Sequence, residues 1–182
     1  MIYPKEEFGS AYEIPYEEFY KKGYRAIIFD IDNTLVPHGA PADQRAQKLC
    51  GRLRELGFQI CFLSNNNTKR VAPFAETLGA TYISNAGKPF KKGYQQAAAR
   101  LQVKESNILF VGDQVLTDII GANRAGYYSI LVGPVDRKEG FFIVMKRWLE
   151  DISIFFYRRS RNYKGNKPNR AGYEKNIPEI YR

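Results

Sequence analysis

The sequence is poor in the residues that staple small folds or ligate soft metals. Of 182 residues, two are cysteine and one is histidine. Cys50 and Cys61 have no cysteine or histidine partner at metal-ligand spacing, which excludes a zinc finger and a disulfide scaffold. Long apolar runs are missing too. The longest covers five residues, Phe141 to Met145, where a membrane-crossing helix needs roughly 20. The segment MIYPKEEFGSAYEIPYEEF is acidic and aromatic and has no apolar stretch of a leader peptide, so no secretory signal is expected. Internal repeats and low-complexity blocks are absent. Together these absences fit a reducing, cytoplasmic setting.

What is present is enough for a packed core. Apolar residues make up 44% of the chain, which excludes a wholly disordered protein. The length suits one domain with some excess. The net charge of +9 is unevenly spread. Residues 157–182 carry eight Lys/Arg and two Glu, and the remainder carries twenty basic and seventeen acidic residues. A nearly neutral body therefore bears a basic tail. Such a tail suits an anionic partner, nucleic acid or a lipid surface, or it simply keeps the protein soluble.

From residue 25 apolar runs alternate with helix-period stretches. Ala26 to Phe29 is a continuous apolar run, as a strand buried on both faces requires. Over 42–56, Ala46, Leu49, Cys50, Leu53 and Leu56 form one apolar helix face closed by Gly57. Strands are predicted at Gln59 to Leu63, Thr81 to Ser84, Asn107 to Val111 and Tyr128 to Val132. Helices are predicted around Val71 to Leu78, with Pro73 imposing a late start or a kink, at Lys91 to Leu101 and at Leu116 to Ala125. This alternation implies an α/β fold, a doubly wound, Rossmann-like parallel sheet of five strands with right-handed crossovers. Three parts are expected: an N-terminal flank, 1–24, with a short helix near Tyr16 to Lys21; a core, 25–135; and an aromatic-basic helix and tail, 136–182.

In an open parallel sheet, ligands bind at the carboxyl ends of the strands. The first predicted strand runs into Asp30-Ile31-Asp32-Asn33-Thr34, and the second into Ser64-Asn65. Lys88-Pro89 follows the third, and the fourth ends in Gly112-Asp113-Gln114 with Asp118 beyond. Each alone could be a cap or a solvated side chain. Jointly they assemble a chemistry. Carboxylates on adjacent strand ends repel unless a hard cation such as Mg²⁺ lies between them. A hydroxyl and an ammonium opposite hold phosphoryl oxygens. One carboxylate attacks phosphorus, and a second, two residues on, shuttles the proton.

Asp-x-Asp-x-Thr, then Ser-Asn, then Lys, then Gly-Asp-x-x-x-x-Asp resembles the four motifs of the haloacid dehalogenase-like superfamily, over residues 25–135. DIDNTLVPHG, LSNNN, AGKPF and GDQVLTDIIGANRAGYYSILV are similar to its subfamily IIIA, YqeG-type phosphatases, which in turn resemble phosphatidylglycerophosphate phosphatases. The resemblance implies that Asp30 is nucleophile and Mg²⁺ ligand. Asp32 is general acid/base and lends its backbone carbonyl to the metal. Ser64, with Asn65 adjacent, and Lys88 bind phosphate. Asp113 is a metal ligand, and Thr34 steadies the loop. Asp118 orients the lysine or metal-bound water, with Gln114 beside it. It also implies strand order 5-4-1-2-3, numbered from the Ala26 strand. An acid at Asp32 matches the superfamily's phosphatases and phosphomutases rather than its dehalogenases.

Only 31 residues separate Asp32 from Ser64 and three separate Ser84 from Lys88, which leaves no room for a cap domain. An open site admits bulky phosphomonoesters: lipid headgroups, nucleic acid ends or proteins. Phe141, Met145, Trp148, Ile152 and Phe155 share one helix face within an aromatic-basic stretch. That face is expected to lie in a lipid interface at an anionic membrane surface or to pack on the sheet. The expected activity is dephosphorylation of phosphatidylglycerophosphate. The rivals are a soluble nucleotide or sugar phosphate phosphatase, and an RNA- or ribosome-binding protein using its basic tail. His38, the one histidine, lies in a loop near the site and most single histidines are not catalytic. Cys61 reads as an inert core residue. Lys69 and Arg70 read as a solvated helix start, with contact to a headgroup as the sharper alternative.

Overall fold

The computed structural model describes residues 2–136. The aromatic-basic stretch and the tail lie outside the described residues. Six strands form one wholly parallel sheet: β1 (Glu6–Phe8), β2 (Ala26–Phe29), β3 (Gln59–Leu63), β4 (Thr81–Ile83), β5 (Ile108–Gly112) and β6 (Tyr128–Val132), in the order β1-β6-β5-β2-β3-β4. The five strands from β2 to β6 follow the expected order. The sixth, β1, was not anticipated. Its EEF sequence carries too little apolar character to read as a strand, yet Glu6, Glu7 and Phe8 lie in register with Ile130, Leu131 and Val132. The N-terminal flank is therefore part of the sheet rather than outside it.

The helices are α1 (Tyr16–Lys21), α2 (Gln44–Glu55), α3 (Thr68–Thr77), α4 (Lys91–Leu101) and α5 (Ile120–Ala125). Asp43 caps α2 by accepting from the Ala46 N–H at 2.7 Å, and Asn67 caps α3 by accepting from that of Arg70 at 3.1 Å. Helix α3 begins at Thr68, ahead of Pro73, so the expected late start does not occur. The predicted helix at 116–125 divides into a π-helical turn, Val115–Ile119, and the short α5.

The sheet separates two apolar layers, because successive strand side chains point to opposite faces. One layer joins Ile27, Phe29 and Val111 to Leu49 and Leu53 of α2, Phe74 of α3, and Tyr16 and Phe19 of α1. The other joins Ile28, Cys61 and Phe110 to Tyr94 and Ala97 of α4. Both cysteines are buried and unbridged. The phenol of Tyr12 donates to the Leu35 carbonyl at 2.7 Å, which fastens the N-terminal flank to the loop after β2. Between Asp32 and Ser64 lie one loop, α2 and β3, and between β4 and Lys88 a short turn, so no cap domain is inserted at either place. No helix among the described residues is long and apolar enough to cross a membrane.

Candidate active site

Strands β2 and β5 are neighbours, with Phe29 in register with Val111. The residues leaving their carboxyl ends, Asp30 and Asp113, therefore emerge side by side. The Asp30 N–H still donates to the Val111 carbonyl at 2.9 Å, so the ladder holds the backbone of Asp30 in place. Thr34 is fully buried, and its hydroxyl faces two acceptors, Asp113 Oδ1 at 3.2 Å and Asp30 Oδ2 at 3.4 Å.

Lys88 is the cation of this cluster. Its Nζ donates to Asp30 Oδ1 at 2.5 Å and to Asp118 Oδ1 at 2.7 Å, and all three side chains are buried. Asn65 fixes the lysine's backbone. Its Oδ1 accepts from the Lys88 N–H at 2.7 Å and its Nδ2 donates to the Lys88 carbonyl at 3.3 Å. Asp118, in the π-turn, also accepts from the Gln114 N–H through Oδ2 at 3.1 Å. The Gln114 side chain is taken by the Thr117 hydroxyl at 3.1 Å. A Cβ at Gly112 would lie 2.5 Å from Asp118 Oδ2, so only glycine leaves space for the acid there. Ser64 is buried at the end of β3, and its Oγ accepts from the Asn66 N–H at 3.1 Å.

The electrostatics follow from this packing. Burial, opposed by Lys88 and reinforced by the charges of Asp118 and Asp32, pushes the Asp30 carboxyl up to about 7. Burial and the charges of Asp30 and Asp118 push Asp113 up to about 8. Burial alone would lower Lys88, but Asp118 and Asp30 raise it above the usual range of a lysine. One carboxylate oxygen each from Asp30, Asp113 and Asp118 lie within 4.8 Å of one another. With all three acids ionised, one ammonium would leave two negative charges uncompensated in a buried place. That donor set, all hard oxygen and short by two positive charges, fits a divalent cation.

Asp32 stands apart from this cluster. Its Oδ1 accepts from the Gly39 N–H at 2.8 Å and from Arg70 Nη2 at 2.9 Å, and its Oδ2 accepts from Asn66 Nδ2 at 2.6 Å. Arg70 is thus no solvated helix start. It is partly buried and paired with the acid, while Lys69 is exposed. Asn66 and Gly39 are site residues that sequence reasoning passed over, and Arg70 was singled out there but not as the partner of Asp32. The only sequence signal for them was their place in the loops after the first and second motifs. His38 is exposed in the loop. All nine residues read as site residues thus gather at one edge of the sheet, with the side chain of Gln114 directed to Thr117.

Sheet order and the acids at its carboxyl edge define an α/β protein with a candidate cation site at its strand ends. The profile of the haloacid dehalogenase-like hydrolases matches residues 39–126. The chain is 36% identical over 148 residues to "Probable phosphatase YqeG" of Bacillus subtilis, covering 81% of this chain and 86% of that protein. It is 30% identical over 143 residues to the chloroplastic phosphatidylglycerophosphate phosphatase 1 of Chlamydomonas reinhardtii, covering 72% of this chain and 53% of that one. Among solved structures, a Listeria monocytogenes protein aligns with a TM-score of 0.51 at 21% identity, over 64% of this chain and 84% of its own. NagD of Escherichia coli aligns with a TM-score of 0.51 at 14% identity, over 62% and 90%, and both likenesses concern the fold alone. The chain belongs to the haloacid dehalogenase-like hydrolases, and phosphatase activity is what this family and these relatives support.

Proposed function

We propose that the protein is a Mg²⁺-dependent phosphatase that works through an aspartyl phosphate on Asp30 and takes phosphatidylglycerophosphate as its substrate. The observation that carries the chemistry is Lys88 bridging Asp30 and Asp118 beside Asp113. Asp30, Asp113 and Asp118 would hold the cation, with the backbone carbonyl of Asp32. Bound there, the ion neutralises these acids and draws charge from the phosphoryl oxygens.

The protein's own groups do the rest. The Ser64 hydroxyl and the Lys88 ammonium bind phosphoryl oxygens. An oxygen of Asp30 bonds to phosphorus as the ester P–O bond breaks, and Asp32 gives its proton to the departing oxygen. Asp32 then takes a proton from water as that water attacks phosphorus. Inorganic phosphate leaves and the Asp30 carboxylate returns. Thr34 and Asn65 keep Asp30 and Lys88 where these steps need them.

The lipid substrate is supported by the relatives and by the rim of the site. Phe90, Val115, Leu116 and Val135 are among the few large apolar side chains exposed by more than a third. Phe90 follows Lys88 by two residues, and Val115 and Leu116 follow Gln114. The Val135 N–H donates to the Asn33 carbonyl at 2.8 Å. With exposed Lys91 and Lys92 beside Phe90, this rim is apolar and basic around a polar centre, a composition suited to a headgroup in an anionic interface. Among the described residues no cap domain is inserted between the motifs, which suits a bulky substrate.

The test is phosphate release from phosphatidylglycerophosphate in mixed micelles with Mg²⁺, wild type beside Asp30→Asn. Release by wild type that the substitution abolishes is the expected result. Turnover of sugar or nucleotide phosphates with none of the lipid would keep the chemistry and overturn the substrate. Silence on all three would overturn both.

A further inference from the structure

We propose that Arg70 is the positioning residue for the proton-carrying carboxylate of Asp32; this rests on the reading of Asp32 as the general acid/base. Three chain segments converge on that one side chain: the loop after β2 through the Gly39 N–H, the loop after β3 through the Asn66 amide, and the first turn of α3 through Arg70. Arg70 does the bridging. Its Nη2 donates to Asp32 Oδ1 at 2.9 Å and to the Ala40 carbonyl at 2.7 Å, so one nitrogen ties the acid, the 37–40 loop and α3 together. The guanidinium also lies against the Phe74 ring, 5.4 Å from its centre, which limits its rotation.

Two features favour a functional role over plain stabilisation. Arg70 Nε is buried with no acceptor. An unpaired buried donor is unfavourable, so the Arg70 contact with Asp32 is made at some cost to folding. Second, Asp32 lies two residues from Asp30, close to a cluster that is short of positive charge. The excess negative charge of that cluster repels the Asp32 carboxylate, which would leave it without a fixed position if it had no cation of its own. Arg70, with the Gly39 N–H and the Asn66 amide, fixes both of its oxygens. Proton transfer requires hydrogen-bond reach to the departing oxygen, so the geometry has to be set before substrate arrives.

The experiment uses the full chain and two soluble phosphomonoesters: glycerol 3-phosphate, whose alkoxide must be protonated as it departs, and p-nitrophenyl phosphate, whose phenolate departs without help. Rapid-quench measurement of the first ester cleavage isolates that step. Arg70→Ala should slow cleavage of the alkyl ester by about 10- to 100-fold, leave the p-nitrophenol burst within about threefold, and leave KM nearly unchanged. Arg70→Lys, which keeps a cation near Asp32, should recover part of the loss. The double variant Arg70→Ala/Asp32→Asn should be no slower than Asp32→Asn alone. Equal slowing on both esters, or additive losses in the double variant, would overturn the proposal and leave Arg70 a structural ion pair. If Asp32→Asn itself cleaves the alkyl ester as fast as wild type, it is the acid/base reading of Asp32 that fails. Should Arg70→Ala not fold, Arg70→Lys and Asn66→Ala supply the same comparison, because the Asn66 amide acts on the other oxygen of Asp32.

Discussion

Lys88 holds two buried carboxylates with one ammonium, and this sets the outcome of replacing it. Lys88→Ala strands Asp30 and Asp118 without a cation, and breaking a buried pair costs about 3–5 kcal/mol. Chemical denaturation should show that loss in the absence of divalent cation, and addition of Mg²⁺ should recover part of it. Asp113 has the opposite sign. Burial and its acidic neighbours push its carboxyl up to about 8, so its ionised form opposes folding at neutral pH. Asp113→Asn should therefore raise the midpoint of thermal unfolding in EDTA and, with Mg²⁺ present, forfeit the stabilisation that wild type gains. Differential scanning calorimetry in both buffers reads the two terms. At this scale the sequence was legible where the chemistry depends on strand ends. Asp30, Ser64, Lys88 and Asp113 each leave or follow a strand that an apolar run announces. Arg70 and Asn66 were not legible, because they meet Asp32 across two loops and no periodicity records such a meeting.

At the scale of the element, the loop after β4 and the π-turn after β5 bring Lys88 and Asp118 together. Asn65 clamps the Lys88 peptide from both sides. Asn65→Ala should lower kcat/KM by about tenfold through a loosened lysine, in keeping with what small misplacements cost in active sites, with a thermal midpoint reduced by only a few degrees. Gly112→Ala is harsher. Its new methyl group would meet the Asp118 carboxylate, so the Lys88–Asp118 contact must give way and turnover should fall below a hundredth of wild type while circular dichroism stays native. Helices α2 and α4 were readable from apolar positions three and four apart. The π-turn was not, since Val115 to Ile119 continue into α5 with an apolar pattern that ordinary helix also satisfies. Strand β1 was hidden for a different reason: it is three residues long and two of them are glutamate.

For the whole molecule, the two-layer core predicts an alkaline limit to stability. Burial pushes the thiols of Cys50 and Cys61 up to about 11, and burial with Glu6 pushes the Tyr128 phenol up to about 12. In the unfolded chain these groups ionise near their ordinary values, so their contribution is whole below about pH 9 and is lost as pH rises through the folded values. Urea midpoints should decline as pH rises above about 9, beyond the range in which Asp30 and Asp113 titrate, and both thiols should react slowly with a disulfide reagent at pH 8 until denaturant is added. The N-terminal flank belongs to this core. Phe19 is buried against Tyr24 and Tyr128, and Phe19→Ala should cost about 3–5 kcal/mol.

The pairing of β1 with β6 also imposes an order in time. Residues 6–8 are synthesised well before the strand they pair with, residues 128–132, which is made more than a hundred residues later. On the ribosome, the rest of the sheet is laid down first while that short segment waits, and its acidic side chains keep it from pairing with the wrong edge in the interval. Because β1 must wait for β6, a nascent chain halted before β6 has emerged carries every acid of the catalytic edge and still lacks the margin that completes the sheet.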